Sequence, residues 1–308
     1  MFRKIPVFIN KIFNSISLLL YGKLVSFRES DDCLIISNSK DIRTAFPKII
    51  WIYWHDNSMP NLVSQCIDKI KILNSDFDVK VIRGKEINNY IPDLKFSRQD
   101  LSFQLRADII RLELLYRYGG IWLDASIVFF EDLSWITDLT KEKKYDFIGF
   151  YRARLTNNFE RPIIENWMLC SPPQNTFIKK WLDAFKPAMD MGLVEYHKFL
   201  QKRSDYEEIR QYINIPEYLS AYMAAQIAIK EFPDFNAYLK CAETSAYLYQ
   251  ESYPQRDYFL SKAWCELERP RNLPPLIKLT SQNRNTINNC NKINPNSIIG
   301  FFLNDNNE

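Results

Sequence analysis

The chain has 308 residues, with 40 Lys and Arg against 37 Asp and Glu, for a formal net charge of +3. Apolar residues make up 46% and charged residues 25%, which excludes wholesale disorder and suits one large α/β domain with appendages or two small domains. The seven Gly form neither a G-x-G-x-x-G nor a P-loop cradle, the two His rule out a His-rich zinc site, and the near-balanced charge gives no case for a nucleic-acid partner.

In chain order, residues 2–24 come first. Asn10, Lys11, Asn14, Ser15 and Ser17 interrupt this apolar run too often for a spanning helix, and no small-residue cleavage site follows it. At ~100° per residue, Phe8, Ile9, Ile12, Phe13, Ile16, Leu19 and Leu20 share one face, flanked by the charges of Arg3, Lys4, Lys11 and Lys23. Two readings fit: a helix lying in a membrane interface, or a helix packed on the protein's own core. Residues 1–30 are therefore set apart as an amphipathic helix, a candidate membrane-surface anchor.

A polar stretch, Arg28 to Thr44, precedes the main domain, read as residues 45–280. KIIWIYWH after Pro47 predicts a strand, Leu62 to Leu73 a helix, and Phe77–Ile82 a second strand. Strand, helix and strand in that order predict a parallel α/β unit. Ser102–Tyr118 predicts a helix stopped by Gly119, followed by the strand GIWLD at 120–124 and the apolar IVFF at 127–130. Further strands are predicted at 146–151 and 166–170, and helices at 175–189, 216–232 and 258–267. From Ser281 the chain is rich in Asn and Ser, which predicts a flexible polar tail over 281–308 with a short apolar anchor, IIGFFL. The six Cys form no C-x-x-C and read as reduced thiols of a cytosolic protein.

Two acids stand in unusual places. Asp108 falls inside the apolar stripe of its helix, between Leu105 and Leu112, and an unpaired carboxylate there is costly. Arg111, at i+3, is its natural partner. The pair either orients the helix or grips a hydroxylated ligand at the floor of a cleft. Arg106, Glu113 and Arg117 fall on the opposite face and read as solvated. Asp124 ends an apolar strand, and ligands of open α/β sheets bind beyond the carboxyl ends of strands. An acid there suits a metal ion or a nucleotide, or else caps a turn. Ser126 adds a hydroxyl two residues on.

FPKIIWIYWHDNSMP, RADIIRLELLYRYGGIWLDAS and ENWMLCSPPQNTFIKKW resemble the capsular polysaccharide synthesis family, which groups with glycosyltransferase family 32-like, DXD-type sugar transferases. The resemblance spans roughly residues 46–280. It implies a GT-A, Rossmann-like α/β fold with a mostly parallel central sheet, and transfer of a sugar from a nucleotide donor with Mn2+ or Mg2+. Asp124 takes the first acid position of the D-x-D motif, with Ala125 beside it in the donor-binding stretch. Asp108 and Arg111 match the pair that holds the donor sugar, and Trp54 the aromatic region near the nucleotide base. Glu165 and Asn166 match a segment facing the acceptor or the reacting carbon; their other reading is a solvated strand edge. Lys278 matches a late segment that reaches the diphosphate, and otherwise reads as a surface lysine. The pattern departs at Ser126, where the second acid of the motif is missing. Asp124 and Ser126 would then hold a metal weakly until the nucleotide arrives.

Tyr218, Tyr222 and Gln226 share a helical face that lines an acceptor groove or simply packs, and His55 follows the first strand. No G-x-S-x-G or motif-bearing Cys supports a hydrolase nucleophile, and an aspartyl phosphatase would need an acid at position 126. The resemblance thus implies a retaining glycosyltransferase of bacterial capsule or O-antigen synthesis, peripheral on the cytoplasmic face of the plasma membrane. Its donor would be a UDP-sugar such as UDP-galactose or UDP-N-acetylglucosamine, and its acceptor a lipid-linked oligosaccharide. The alternative is a catalytically silent sugar-binding or scaffold member of the assembly.

Overall fold

The computed structural model describes residues 7–29, 32–37, 45–141 and 144–304. Arg3 and Lys4 of the N-terminal basic set lie outside the described residues. Helix α1 (Val7–Tyr21) and strand β1 (Cys33–Ser37) precede the predicted unit of β2 (Ile49–Trp54), α2 (Asn61–Leu73) and β3 (Asp78–Arg83). Helix α3 (Phe103–Tyr118) is capped by Ser102, whose side chain accepts from the Leu105 amide, and leads into β4 (Gly120–Leu123) and β5 (Ile127–Phe129). Helix α4 (Ser134–Lys141) and strands β6 (Phe147–Tyr151) and β7 (Ile164–Ser171) follow. The helix predicted over 175–189 divides at Pro187 into α5 (Thr176–Phe185) and α6 (Ala188–Gln201). Then come α7 (Tyr206–Arg210), α8 (Ser220–Glu231), β8 (Asn236–Cys241), α9 (Leu248–Ser252), α10 (Asp257–Ser261), β9 (Leu276–Lys278), α11 (Ser281–Asn288) and α12 (Ile298–Asn304).

Seven strands form one sheet in the order β1-β8-β6-β7-β4-β2-β3, and β5 pairs with β9 in a separate ribbon. The expected parallel pairing holds for β2 with β3, β2 with β4, and β6 with β8. The sheet as a whole is mixed, not mostly parallel, because β7 runs antiparallel to both β4 and β6, and β1 antiparallel to β8. No helix separates Tyr151 from Ile164, so β6 returns as β7 in hairpin fashion instead of crossing over the sheet.

Side chains alternate across the sheet, as strand geometry demands. Trp51 and Trp122 enter the core beneath α3, α5 and α8, while Ile50, Ile52, Ile121 and Leu123 enter the core shared with α2 and β5. A third core joins Leu18 of α1 to Tyr249, Trp264, Ile277 and the C-terminal helices. The flexible tail expected from Ser281 is instead folded to Asn304: Ile298, Ile299 and Phe302 are buried, and Thr280 caps α11 together with Asn283. Apart from Leu18, α1 lies on the body with its polar side inward. Lys11 donates to the Gln250 carbonyl and Asn14 to that of Ser252. Phe13 and Leu20, 63% and 70% exposed, face outward with Ile12, Ile16 and Leu19. No helix among the described residues is long and apolar enough to cross a membrane.

Candidate active site

The chemistry collects where β2 and β4 end at their carboxyl sides. Gly119 and Gly120 bring β4 there. Both hold positive φ, and a Cβ on Gly120 would stand 2.5 Å from the Ile49 carbonyl oxygen. This close approach lets β4 pair with β2 and with β7. Asp124, two residues beyond Trp122, projects to the same face, and its Oδ1 accepts from Trp122 Nε1 at 3.1 Å. That face meets α3.

Asp108 and Arg111 are both buried on α3 and pair at 3.1 Å, Arg111 Nη1 to Asp108 Oδ1. Arg111 also donates to the Asn166 carbonyl at 2.6 Å and to Asp124 Oδ1 at 3.2 Å, with its guanidinium over the Trp122 ring. Asn166 Nδ2 closes the circuit on Asp108 Oδ1 at 2.9 Å. Asp108 Oδ2 and Arg111 Nε remain buried with no partner. Burial pushes the Asp108 carboxyl up to about 7, against the pull of Arg111. Asp124 moves the other way. Burial would raise it, but Lys278 and Arg111 outweigh that and hold it below the usual carboxylate range.

Lys278 is not a surface lysine. It is buried at the end of β9, 2.9 Å from Asp124 Oδ2 and 3.1 Å from Ser126 Oγ. Arg284, on the first turn of α11, donates to the same Ser126 Oγ at 2.9 Å. The Ser126 hydroxyl in turn donates to the Leu279 carbonyl at 3.3 Å. Ser126 therefore does not fit the metal-ligand role expected of it. Both lone pairs of its oxygen receive cationic donors, and its proton is directed elsewhere. Asp124 is likewise neutralised by two cations. Among the described residues no three His, Cys, Asp or Glu gather for a metal. The donor set does not fit Mn2+ or Mg2+.

Glu165 is not a solvated strand-edge residue. It is buried on β7, accepts from Tyr222 Oη at 2.5 Å, and lies 3.5 Å from Arg152 Nε. Burial raises its carboxyl while Arg152 opposes the shift. Arg152 also meets Glu243 at 3.2 Å and Glu251 at 3.1 Å, and stacks on Tyr247. Trp54 and His55 lead from β2 to an aromatic shelf on which His55 stacks with Phe103 at 3.7 Å between centroids. Burial lowers the His55 imidazole, which keeps it neutral near pH 7. Gln226 turns away from the site and bonds Gln211 and the Pro162 carbonyl. Glu113, read as solvated, is buried between Arg117 at 3.0 Å and Lys186 at 2.9 Å.

These groups line one cleft of about 560 Å3 that brings together Trp54, Asp108, Arg111, Asp124, Ala125, Ser126, Glu165, Asn166 and Lys278. Tyr218, Tyr222 and His55 line it too. Sequence reasoning missed Arg284 and Arg152. The T-x-x-N cap at 280–283 was the available signal for a helix that carries Arg284. A depression of about 650 Å3 elsewhere, beside Lys48, Asp76, Asp138 and Lys141, carries solvated surface ion pairs.

Part of the chain resembles named fungal enzymes. It is 28% identical over 166 residues to O-glycosyltransferase braB of Annulohypoxylon truncatum, covering 46% of this chain and 38% of that protein. It is 25% identical over 175 residues to O-glycosyltransferase PaGT of Phomopsis amygdali, covering 51% and 42%. The chain thus spans about two fifths of the length of these curated relatives. A solved structure, PaToxG glycosyltransferase, aligns over 84% of this chain and 88% of its own at 17% identity, with a TM-score of 0.36. The model of the family described as capsular polysaccharide synthesis protein matches residues 12–190, more than half of the length. By that match the chain belongs to the capsular polysaccharide synthesis protein family.

Proposed function

We propose that the protein is a glycosyltransferase of the GT-A, DXD-derived type that moves a sugar from a nucleoside-diphosphate sugar to an acceptor hydroxyl. The observation that carries this reading is the interlocked set of Asp108, Arg111, Asn166 and Asp124 at the strand ends. Within it, Asp108 Oδ2 is a buried acceptor left without a donor. A sugar hydroxyl supplies that donor. The names of the fungal relatives support the same reaction class.

In the cleft, the shelf of Trp54, His55 and Phe103 offers planar faces to a nucleotide base, and a UDP-sugar such as UDP-galactose or UDP-N-acetylglucosamine is the proposed donor. Asp108, Asn166 and Asp124 orient the sugar. The bond from the anomeric carbon to the diphosphate oxygen breaks, and its electron pair leaves with the phosphate. The acceptor oxygen bonds the anomeric carbon from the same face, with retention, and its proton passes to the departing phosphate oxygen. Glu165, held by Tyr222 and Arg152, lies on the β7 wall and positions the acceptor side.

We place the acceptor on a lipid-linked oligosaccharide of capsule or O-antigen type at the cytoplasmic membrane face. The outward apolar side of α1 supports a membrane surface as the partner, since Ile9, Ile12, Phe13, Ile16, Leu19 and Leu20 stand in solvent there. The test is a panel of nucleotide sugars scored for thermal stabilisation and slow hydrolysis. At least one should stabilise the protein and be hydrolysed. Stabilisation by none of them overturns the reading. A sugar-binding scaffold, which the missing second acid favours, would bind a donor and never split it.

A further inference from the structure

We infer that Lys278 and Arg284 replace the divalent cation of the site: they hold the donor diphosphate directly, and transfer runs without Mn2+ or Mg2+. This rests on the glycosyltransferase reading and departs from the metal use that the D-x-D resemblance implies.

The first observation is saturation. A metal at this motif needs free oxygen lone pairs, and Ser126 has none left while Asp124 keeps one position on Oδ2. Ser126 Oγ accepts from Lys278 at 3.1 Å and from Arg284 at 2.9 Å. Asp124 Oδ1 accepts from Arg111 and Trp122, and Oδ2 from Lys278. The second observation is charge. Five cations, Arg111, Arg152, Arg154, Lys278 and Arg284, line the cleft with three acids, Asp108, Asp124 and Glu165, and burial drives Asp108 towards its neutral form. The site is net positive, so it repels a divalent cation and attracts a diphosphate.

The third observation concerns Arg284 itself. Its guanidinium donates to two hydroxyls, Ser126 Oγ and Ser281 Oγ, and no carboxylate of the described residues pairs with it. Burial lowers its affinity for its proton. The carboxylate whose charge reaches it, Asp124, is already paired with Arg111 and Lys278, so this partly buried cation on an open cleft has no anion of its own. A diphosphate supplies one in the geometry that a guanidinium fork favours.

Both cations are also fixed in place. Lys278 stands opposite Ile127 in the β5–β9 ribbon. Arg284 rides on a helix whose capping residue Asn283 is wholly buried and receives the Gln250 amide. Charge held this rigidly meets the developing phosphate anion without reorganisation, the role a metal fills elsewhere. When the anomeric C–O bond breaks, the electron pair goes to a phosphate oxygen that Lys278 and Arg284 face.

The test uses the full chain, stripped with excess chelator, and UDP as the probe. Calorimetric affinity for UDP and the rate of UDP-sugar hydrolysis should stay within about twofold of their values in Mn2+. Arg284→Gln should weaken UDP by about 10- to 100-fold, the worth of a charge-assisted bond, while affinity for uridine stays unchanged. Arg284→Lys should recover part of the loss. Ser126→Asp should neutralise the cations, weaken metal-free UDP binding and introduce a response to Mn2+. Binding or hydrolysis that is lost in chelator and restored by Mn2+ overturns this inference and leaves the glycosyltransferase reading intact. Failure of UDP and of every other nucleoside diphosphate to bind, with or without metal, overturns both.

Discussion

Asp124 sits between two cations, and its charge is what keeps Arg111 and Lys278 aligned. Asp124→Asn keeps the shape and removes that charge. Sugar transfer should fall at least about 100-fold, the usual cost of losing one preorganised electrostatic group, with an unchanged circular dichroism spectrum. Activity within a few-fold of the parent would remove Asp124 from the site. Asp108 gives a prediction in pH. Burial raises its folded carboxyl from 3.8 to about 7. A raised acid favours the folded state below its unfolded value and loses that contribution as pH climbs through about 7. Asp108→Asn cannot titrate, so its melting temperature relative to the parent should rise between pH 5 and pH 8; a flat difference would mean Asp108 is ionised throughout. Asp108, Arg111 and Asp124 were legible in sequence because a charge inside an apolar pattern is conspicuous. Lys278 was reached only through the family resemblance, and Arg284 not at all. Their partner Ser126 is more than 150 residues away, and no periodicity reports such a contact.

At the scale of elements, β4 is the piece that delivers Asp124, and Gly120 lets it in. Gly120→Ala forces a Cβ against the Ile49 carbonyl at a φ of +94°. The strained dihedral alone costs about 1–3 kcal/mol, and the clash adds to it. Urea denaturation should show at least that loss, and a change under ~0.5 kcal/mol would mean β2 and β4 tolerate wider spacing. The sequence disclosed β2, β3, α3 and β4 because their apolar residues recur at clear periods. It concealed β1 and β8, which pair with each other across some two hundred residues and flank polar segments. It also concealed α11 and α12. The Asn-rich composition after Ser281 suggested flexibility, while Ile298, Ile299 and Phe302 already stood at helical spacing.

For the molecule as a whole, α1 presents an apolar ridge outward and a polar side inward, the reverse of a helix that completes a core. Replacing Phe13 and Leu20 with Glu should leave donor hydrolysis intact, since neither lines the cleft. Sedimentation with anionic vesicles should drop by about tenfold or more per residue. Equal sedimentation of variant and parent would free α1 from any membrane role. Amphipathicity of α1 was legible in the sequence, but which side the body would claim was not. That depended on the carbonyls of Gln250 and Ser252, far along the chain.

The β5–β9 ribbon has a consequence for biosynthesis. It joins Ile127 to Lys278, so Lys278 and Ser126 meet across 152 residues of chain. Closing so long a loop is slow, and it must wait until Lys278 has left the ribosome. A nascent chain that already holds α3 and β4 carries Asp124 beside Arg111 with neither Lys278 nor Arg284 in reach. On the proposed reading the two cations come into place only once residues 276–288 have been made, and the same segment also covers the core around Tyr249 and Trp264. Ribosome-stalled chains ending before Leu276 should fail to retain a nucleoside diphosphate, and chains extended beyond Asn304 should regain retention in one step.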